Sequence, residues 1–486
     1  MNFVTPDISL AAPELLVMSL TCLVLVIDVF LPQQQRHITY NLTQLTLLGA
    51  LLLTLQGFGG EPVIGFDGHY IRDTLSDVLK ISVYLISAAV FLYSRDYLRD
   101  RDLFQGEYYV LGLFGVLGMM IMISAHSFLT VYLGLELLSL SLYALVAFNR
   151  DNADASEAAM KYFVLGALAS GILLYGISMI YGATGSVAIQ SVAEALAQTD
   201  QSDNRIVLSF GLVFLVVGLA FKLGAVPFHM WLPDVYQGAP TSVTLYLGSA
   251  PKLAAFALLI RVLADAMGML HSDWQQMLVI LAALSLVAGN LIAIAQVNIK
   301  RMLAYSTISH VGFLLLGVLA GTQQGYSSAL FYIITYVLMV TGAFGIILIL
   351  SRAGFEAENI TDFKGLNDKN PWLAFLMMVV MMSMAGIPFL VGFYAKLVVL
   401  QAAISAGLVW LAVLAVVFSV IGAFYYLRVV KYIYFDKPET GNAGEDTFAI
   451  SALDTTIVIS TNGLLLVALG IYPTALLSLC RVAFPQ

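Results

Sequence analysis

The chain has 486 residues, of which 60% are hydrophobic and only 11% are charged. This composition leaves too little polar surface for a soluble globular protein and predicts an integral membrane protein. The formal net charge of -8 says little about partners, because membrane topology depends on where lysines and arginines lie rather than on net charge. There is no basic stripe to support nucleic-acid binding.

The chain also lacks the sequence signatures of bound metals and nucleotides. Cys22 and Cys480 lie in apolar segments near opposite ends, without a CxxC pair or neighbouring histidines, so iron–sulfur clusters and structural zinc are unsupported. No strand precedes a GxGxxG or GxxxxGKS/T motif, which argues against nucleotide binding. The amino terminus has neither the basic region nor the cleavage site of a signal peptide, so we expect its first hydrophobic segment to be retained.

About fourteen apolar segments are long enough to cross a bilayer, which takes ~20 helical residues. The connections are mostly short and none could form a soluble domain, so the sequence predicts an all-α polytopic membrane protein. Residues 191–198 are a candidate short surface helix. The predicted helices lie near residues 11–31, 39–58, 75–94, 107–125, 127–148, 157–181, 206–237 (broken), 240–264, 272–295, 302–320, 325–351, 371–403 (broken), 405–434 and 451–475.

Basic residues are distributed unequally between the two sets of connections. By the positive-inside rule, the richer set is cytoplasmic, which places both termini outside the cytoplasm. The predicted external connections contain only Arg72, Arg205, Arg261 and Arg481. The predicted cytoplasmic connections contain Arg36, Arg95, Arg99, Arg101, Arg150, Lys300, Arg301, Arg352, Lys364, Lys369, Arg428, Lys431 and Lys437.

The seventh segment carries the first candidate for chemistry. Within 211–252 an apolar helix contains Lys222 and then Pro227, which must break its hydrogen-bond ladder. A charge at bilayer depth costs at least ~2.5 kcal/mol, so an intramembrane lysine is by default functional and faces a polar interior. Loose backbone carbonyls at this depth are tolerated only against protein or a water-filled cavity.

The twelfth segment repeats this pattern. Gly386 and Pro388 interrupt an apolar helix, and Lys396 follows about two turns later. Two interrupted helices that carry lysines in the two halves of a chain indicate a transporter built from repeats. The repeat is not literal, because the lysine precedes the proline in one copy and follows it in the other.

Glu136 is the lone acid inside the fifth predicted helix. A carboxylate at this depth is neutral or paired, and Lys222 is the natural partner, because each charge offsets the desolvation of the other. The alternative is a static ion pair that only fixes helix packing. Buried pairs are weak stabilisers, so we favour a functional pair.

Lys252, His310 and Lys396 would continue a row of titratable groups across the membrane. Proton transfer requires such a row, in which each site holds a proton and also gives it up. Burial brings a lysine toward the range in which it releases its proton. For His310 alone, a satisfied buried histidine beside Ser306 and Thr307 is an equally good interpretation.

The remaining polar residues have simpler interpretations. Lys80 and Lys161 lie near helix ends, where a lysine snorkels to the interface. His229 and Asp234 follow the seventh-helix break, where capping or loop packing is the expected role. Three acids near the membrane boundaries are interpreted as solvated or interfacial, namely Glu14, Asp28 and Asp77.

Three stretches carry a resemblance to a known family: LAFKLGAVPFHMWLPDVYQGAP, QVNIKRMLAYSTISHVGF and MSMAGIPFLVGFYAKL. The sequence resembles the antiporter-like membrane chains of respiratory complex I, the NADH:quinone oxidoreductase, over nearly its whole length. Two of the three such chains typically read HAEAPT where this one reads YQGAPT at 236–241. One of those two has a glutamate in place of Lys396, and the other has a long arm beyond the position of Gln486. These departures point to the third chain.

The resemblance implies fourteen helices, of which helices 4–8 (residues 101–268) and helices 9–13 (269–436) are inverted repeats with helices 7 and 12 broken. Residues 1–100 would hold helices 1–3 and residues 437–486 helix 14. By the family pattern, the proton-channel residues are Glu136, Lys222, Lys252 and Lys396, with His310 as a connecting residue. The resemblance also implies a bacterial inner membrane.

The resemblance assigns all redox groups to other proteins. NADH, FMN, iron–sulfur clusters and quinone would be bound by other subunits, and none by this chain. Its own partners would be the lipid bilayer and other membrane subunits of complex I, including antiporter-like and small membrane chains.

The predicted function is therefore a proton-translocating membrane subunit of complex I. A second hypothesis is a subunit of a secondary cation/proton antiporter of the Mrp type. A dehydrated sodium ion prefers carboxylate and carbonyl oxygens, however, and this interior offers three lysines against one clear carboxylate. A third hypothesis is an assembly scaffold with an inert polar axis.

Overall fold

The computed structural model describes residues 7–198, 205–351, 355–437 and 452–484. Its regular structure in these ranges is helical apart from one two-stranded hairpin. We name the membrane helices M1–M14 in chain order. They are M1 Ala12–Phe30, M2 His37–Gln56, M3 Thr74–Arg99, M4 Gly106–Ile123, M5 Phe128–Val146, M6 Ala153–Thr184, M7a Arg205–Leu223, M7b Trp231–Gly238, M8a Thr241–Gly248, M8b Ala250–Leu259, M9 His271–Ile294, M10 Ile299–Val318, M11 Gln323–Leu350, M12a Pro371–Ala385, M12b Val391–Ser405, M13 Val409–Tyr434 and M14 Leu453–Ile471.

Thirteen helices in the described part of the chain are long and apolar enough to cross a membrane. M12a and M12b are each too short to qualify and together make the fourteenth crossing. The prediction of about fourteen membrane helices, with the seventh and twelfth broken, is therefore confirmed. Shorter helical pieces are Ile8–Ala11, Gln33–Gln35, Phe66–Gly68, Ile189–Gln198, Gly268–Leu270, Ile360–Phe363, Leu366–Lys369 and Thr474–Val482, and a wider turn at Ile260–Ala266 extends M8b.

The eighth helix, predicted as continuous over 240–264, is interrupted. M8a ends at Gly248, and Ser249 has non-helical angles of φ −109° and ψ −101°. Pro251 is the cause, because it cannot donate a backbone hydrogen bond and its ring clashes with the preceding turn. The break makes Lys252 the third residue of M8b, at the amino-terminal end of a half-helix.

The polar connection between M2 and M3 contains structure that the sequence interpretation missed. Strands β1 (Val63–Gly65) and β2 (Tyr70–Arg72) pair antiparallel, and Tyr70 forms a bridge with Ala125 in the M4–M5 turn. The hairpin thus lies against the first of the repeat helices. After M6, the predicted surface helix at 191–198 is present as Ile189–Gln198.

Two isolated β-bridges occupy equivalent places in the two halves of the chain. Ser127, the N-cap of M5, pairs with Ala188 after M6, and Asn298, the N-cap of M10, pairs with Asn359 after M11. Five crossings separate the M4–M5 turn from the M9–M10 turn, so an odd number of spans places the bridges on opposite sides. This arrangement is that of an inverted repeat.

Each half also begins with a helix pair in close contact through glycine. A Cβ on Gly118 of M4 would lie 2.6 Å from the backbone nitrogen of Leu138 in M5. A Cβ on Gly289 of M9 would lie 2.6 Å from the backbone nitrogen of Ser309 in M10. Such separations leave no room for a side chain, so these helices approach backbone to backbone, as small residues allow in membranes.

The predicted solvent exposure of the polar residues in M1–M3 is wrong. Lys80 does not snorkel: its ammonium is buried and forms an ion pair with Glu14, which is buried as well. Asp28 is buried and accepts a hydrogen bond from Thr39 Oγ1 at 2.5 Å. Asp77 is buried near Arg72, at 3.6 Å. The partners come from other helices or the hairpin, so their proximity is a product of packing.

Two basic residues from the topology count are buried rather than solvated. Arg261 donates to both carboxylate oxygens of Asp73 at 2.8 Å, and Lys300 lies 2.7 Å from Glu358 Oε1. By contrast, the Lys161 side chain is 43% exposed, in agreement with its expected position at a helix end. Arg352 lies outside the described residues.

Candidate functional site

The first half of the site is built on the end of M7a. Its last residue, Leu223, is followed by Gly224 with a φ of +83°, a left-handed conformation that glycine adopts without a Cβ penalty. Lys252 Nζ from M8b donates to the loose Leu223 carbonyl at 2.9 Å, and Trp231 Nε1 donates to the Phe221 carbonyl at 3.0 Å. Side chains from the following segments therefore satisfy carbonyls that the interruption releases.

Lys222 lies in the last turn of M7a and donates to Ser139 Oγ of M5 at 2.8 Å. The expected ion pair with Glu136 is not formed within 4.0 Å between these two described residues. Glu136 Oε1 is buried and has no hydrogen-bond partner among the described residues. Ser139 follows Glu136 by one helical turn and occupies the place predicted for the carboxylate.

A cavity of about 40 Å³ joins Lys222 to Lys252 and also contacts Ser139. Tyr162 and Trp231 line it as well, with stacked rings whose centroids are 4.7 Å apart. The volume exceeds the ~10–15 Å³ that one water needs, and the polar groups on the wall can bind it. The two lysines thus line one space large enough for water, whose wall is mostly apolar apart from a few polar groups.

Lys252 is almost fully buried, with 3% of its surface exposed. Its ammonium lies 5.7 Å from the centre of the Trp231 ring, a cation–π distance. A second cavity of about 10 Å³ is lined by Lys252 and His310, close to the lower limit for a single water. The row predicted from sequence therefore continues from M8b to M10.

His310 of M10 has a hydroxyl group at each ring nitrogen. Nδ1 lies 2.6 Å from Tyr332 OH and Nε2 lies 3.1 Å from Tyr426 OH. Ser306 contacts the Tyr426 hydroxyl at 2.5 Å rather than the imidazole. The histidine is buried and satisfied, as one interpretation expected, but its partners are titratable hydroxyls from M11 and M13.

The second half of the site is built on the end of M12a. Ala385 is its last residue, and Gly386 follows with a φ of +88°. Lys396 Nζ from M12b donates to the Ala385 carbonyl and to Ser419 Oγ of M13, each at 2.9 Å, and lies 5.1 Å from the Phe313 ring centre. Lys396 of M12b therefore binds the carbonyl released at the end of M12a, the other half of the same interrupted helix.

Asp234 and His229 differ from the expected helix caps. Asp234 of M7b accepts from Lys161 of M6 and Arg301 of M10, each at 2.8 Å, so it joins three helices across both halves. His229 lies in the interrupted stretch, and its buried Nδ1 has no hydrogen-bond partner. Asp234, Lys161 and Arg301 line an open polar vestibule of about 430 Å³, along with charged residues that include Glu358.

Sequence reasoning missed the hydroxyl and indole partners of the titratable groups, namely Ser139, Trp231, Tyr332, Ser419 and Tyr426. Each is a polar side chain in a membrane-embedded segment. Their depth was a usable signal for a polar interior. Serine and tyrosine hydroxyls can also form hydrogen bonds within their own helix or at the membrane interface, however. The sequence therefore did not distinguish these five residues from the other polar residues of the membrane segments.

The comparisons with known proteins agree with this arrangement. The model for the family described as NADH:quinone oxidoreductase/Mrp antiporter, transmembrane, matches residues 125–422, more than half of the chain. The chain is similar to a solved chain of respiratory complex I from Thermus thermophilus, with 34% identity, a TM-score of 0.82, and coverage of 96% of this chain and 98% of that one.

A chain of the Mrp complex from Dietzia has 20% identity and a TM-score of 0.82, with coverage of 98% of this chain and 97% of that one. This likeness shows the fold alone. A relative from Thioalkalivibrio sulfidiphilus, described as NADH-quinone oxidoreductase subunit N, is 61% identical over 99% of both chains. The chain therefore belongs to the NADH-quinone oxidoreductase subunit N family, the third of the antiporter-like chains to which its motifs point.

Proposed function

We propose that this chain translocates protons as a membrane subunit of NADH:quinone oxidoreductase, complex I. Lys222 is the central proton carrier, and Glu136 is the charge that modulates it. Lys252 and His310 relay the proton, and Lys396 is the exit-side site. The chain itself carries no electron and acts as a translocase within an oxidoreductase.

The observation that carries this proposal is the alternation of titratable groups and water-sized cavities. Lys222 and Lys252 line one cavity, and Lys252 and His310 line the next. Protons move between groups or waters within hydrogen-bond reach, so this spacing suits stepwise transfer. A static structural core would gain more from apolar packing than from three buried lysines and a histidine.

The position of Glu136 supports a modulating role. Its Oε1 is buried and unpaired, while Lys222 is bound to Ser139 instead. Because Glu136 and Lys222 form no direct ion pair, the proton affinity of Lys222 can change when a neighbouring charge moves. A change of one pKa unit requires only ~1.4 kcal/mol. Electron transfer in other subunits would supply that change of charge.

The redox groups belong to other subunits in this proposal. The two inner cavities of about 40 and 10 Å³ are smaller than the ~300–1,000 Å³ of a cofactor site. The assignment of NADH, FMN, iron–sulfur clusters and quinone to other subunits is supported by the similarity to complex I chains. The remaining partners are other membrane subunits and the lipid bilayer. We place the chain in the bacterial inner membrane with both termini periplasmic, on the basis of the distribution of lysine and arginine.

The repeat boundaries complete the proposal. Helices M4–M8 form the first repeat, within residues 101–268, and M9–M13 form the second, within 269–436. Residues 1–100 hold M1–M3, and residues 437–486 hold M14. The two equivalent bridges on opposite sides support this division.

Protons fit the inner cavities better than sodium ions. The cavity walls present ammonium groups, aromatic rings and hydroxyls, whereas sodium requires several oxygen ligands of negative or partial negative charge. Two neighbouring ammonium groups repel a metal cation but exchange protons through water. The Mrp-type antiporter therefore remains the weaker candidate.

The test is Lys222→Arg in the assembled complex, reconstituted in vesicles. Arginine retains the positive charge and the donors toward Ser139, but it is never deprotonated in proteins. A carrier role predicts normal assembly and a fall in the proton-translocation rate of at least about a hundredfold, the lower end of the contribution of a positioned proton-transfer group.

Lys431→Arg, at an exposed lysine of M13 (63% exposed), is the matched control and should leave the rate unchanged. Near-normal translocation by Lys222→Arg at equal complex content would falsify the carrier role.

A further inference from the structure

His310 is held between two tyrosine hydroxyls, and this geometry defines a direction through the ring. Nδ1 lies 2.6 Å from Tyr332 OH and Nε2 lies 3.1 Å from Tyr426 OH. All three side chains are buried. A neutral imidazole has one donor and one acceptor nitrogen. In either tautomer, therefore, one tyrosine donates to the ring while the other accepts from it.

The two tyrosines adjoin different parts of the site. Tyr332 of M11 lines the cavity of about 10 Å³ between Lys252 and His310. Tyr426 belongs to M13, where its hydroxyl contacts Ser306 Oγ at 2.5 Å. The side of Tyr332 is thus the Lys252 side, and the side of Tyr426 is the M13 side.

M13 also carries the hydroxyl that Lys396 binds. Ser419 accepts from Lys396 Nζ at 2.9 Å and precedes Tyr426 by seven residues. Residues seven apart lie on one face of a helix, two turns and roughly 10 Å from each other. One face of M13 therefore presents a hydroxyl to His310 and another to Lys396.

We propose that Tyr332 and Tyr426 are relay residues that pass protons through His310, from the Lys252 side to the M13 side. This inference rests on the proton translocation proposed above. It adds two residues that the sequence motifs did not include and assigns an order to them.

The proton transfer balances at every atom. With His310 protonated on Nε2, the Tyr332 hydroxyl gives its proton to Nδ1 and takes one from the Lys252 side. Nε2 gives its proton to the Tyr426 oxygen, the Tyr426 hydroxyl gives its own to Ser306 Oγ, and Ser306 releases its original proton to a water molecule. Each tyrosine oxygen loses one O–H bond and gains one, and the ring ends neutral with its proton on Nδ1. One proton has entered at Tyr332 and one has left at Ser306.

Two buried tyrosines outside the row of titratable groups are controls. Tyr108 of M4 donates its hydroxyl to Ser94 Oγ at 3.0 Å. Tyr246 of M8a donates its hydroxyl to the Gly112 carbonyl at 2.8 Å. Phenylalanine at either position removes a buried hydroxyl without removing a partner of the imidazole.

The experiment compares four tyrosine-to-phenylalanine variants of the whole complex in inverted membrane vesicles at matched content. Tyr332→Phe and Tyr426→Phe should each slow NADH-driven proton uptake, by up to about tenfold if the step becomes rate-limiting. Each should also raise the ratio of the rates in H₂O and D₂O, which a packing defect would leave unchanged. Tyr108→Phe and Tyr246→Phe should retain the rate and isotope ratio of the unaltered complex.

His310→Ala in the same assay separates this inference from the proposed function. Normal uptake by His310→Ala would remove His310 from the pathway and thus contradict the function assigned to it. Impaired uptake by His310→Ala with normal rates and isotope ratios in Tyr332→Phe and Tyr426→Phe would overturn the tyrosine relay alone. Impairment of Tyr108→Phe or Tyr246→Phe equal to that of Tyr426→Phe would also overturn it, because loss of any buried hydroxyl would then suffice.

Discussion

The two interrupted helices end in the same way but use lysine differently. At the end of M7a, Ala225 N–H donates to the Ala220 carbonyl at 2.9 Å, and at the end of M12a, Ile387 N–H donates to the Met382 carbonyl at 3.1 Å. Both bonds span the left-handed glycine of a Schellman motif. In both helices the carbonyl just before that glycine accepts from a lysine at 2.9 Å.

The two breaks differ in how many lysines bind the released carbonyl and the serine hydroxyl. At M7a, Lys252 binds the loose carbonyl and Lys222 binds a serine hydroxyl. At M12a, Lys396 binds both a carbonyl and a serine hydroxyl. The first break thus holds two positive groups across a cavity, with Glu136 nearby, whereas the second holds one. This difference suits proton exchange at the first break and a single terminal site at the second.

The largest expected effect is that of Lys396→Met. This change removes both interactions at the second break and leaves the Ala385 carbonyl buried without its partner, at a cost of about 1–3 kcal/mol. We expect loss of proton translocation with a lower thermal stability of the assembled complex. Lys252→Met removes one hydrogen bond at the first break, the one to the Leu223 carbonyl.

Vesicle proton uptake and thermal unfolding of the purified complex measure this pair of variants. A greater loss of stability in Lys252→Met than in Lys396→Met would contradict the conclusion that the second break depends on a single lysine.

A smaller effect is expected for alanine at the two glycines. A left-handed residue with a Cβ costs about 1–2 kcal/mol at either position. A Cβ at Gly386 would also lie 3.0 Å from Lys396 Cδ, whereas one at Gly224 would lie 2.5 Å from Leu232 Cδ1. Gly386→Ala should therefore impair proton translocation as well as stability, and Gly224→Ala mainly stability.

The measurements for this pair are the same uptake assay and the melting temperature of the complex. Gly407→Ala is a useful control, because Gly407 has a φ of +80° and no atom lies within 4 Å of the added Cβ. Equal loss of translocation in Gly386→Ala and Gly407→Ala would attribute the effect to backbone strain alone.

Removal of the serine hydroxyls should have a milder effect. Ser139→Ala takes away the hydroxyl that accepts a hydrogen bond from Lys222, while Ser419→Ala leaves Lys396 with the Ala385 carbonyl. Hydrogen bonds to charged groups contribute about 1.5–3 kcal/mol. We therefore expect Ser139→Ala to slow proton uptake more than Ser419→Ala. The reverse order would show that the second break depends more on its hydroxyl than the first does.

The smallest effect on activity is expected from two cysteine substitutions that test whether the two repeats have opposite orientations in the membrane. Arg99 and Gln323 are exposed and are separated by seven crossings, an odd number, so Arg99→Cys and Gln323→Cys should react with an impermeant thiol reagent from opposite sides. Arg99→Cys is expected to be labelled from the cytoplasm. Labelling of both cysteines from the same side of the membrane would contradict the opposite orientation of the two interrupted helices.

The sequence determined the membrane class, the helix count and the two broken helices, because apolar length, proline and buried charge act locally. It also singled out Lys222, Lys252, His310 and Lys396, since any ionisable group at membrane depth is conspicuous against an apolar background. The family motifs added their expected roles. These features need no knowledge of which helices are neighbours.

Tertiary structure alone decided which groups meet. Lys80 is buried next to Glu14 rather than exposed at a helix end, and Lys222 binds Ser139 rather than Glu136. Tyr332 and Tyr426 reach His310 from M11 and M13. The physical reason is that a buried polar group must find a partner, but several serines, tyrosines and carbonyls can serve. Only the packing of helices distant in the chain selects among them.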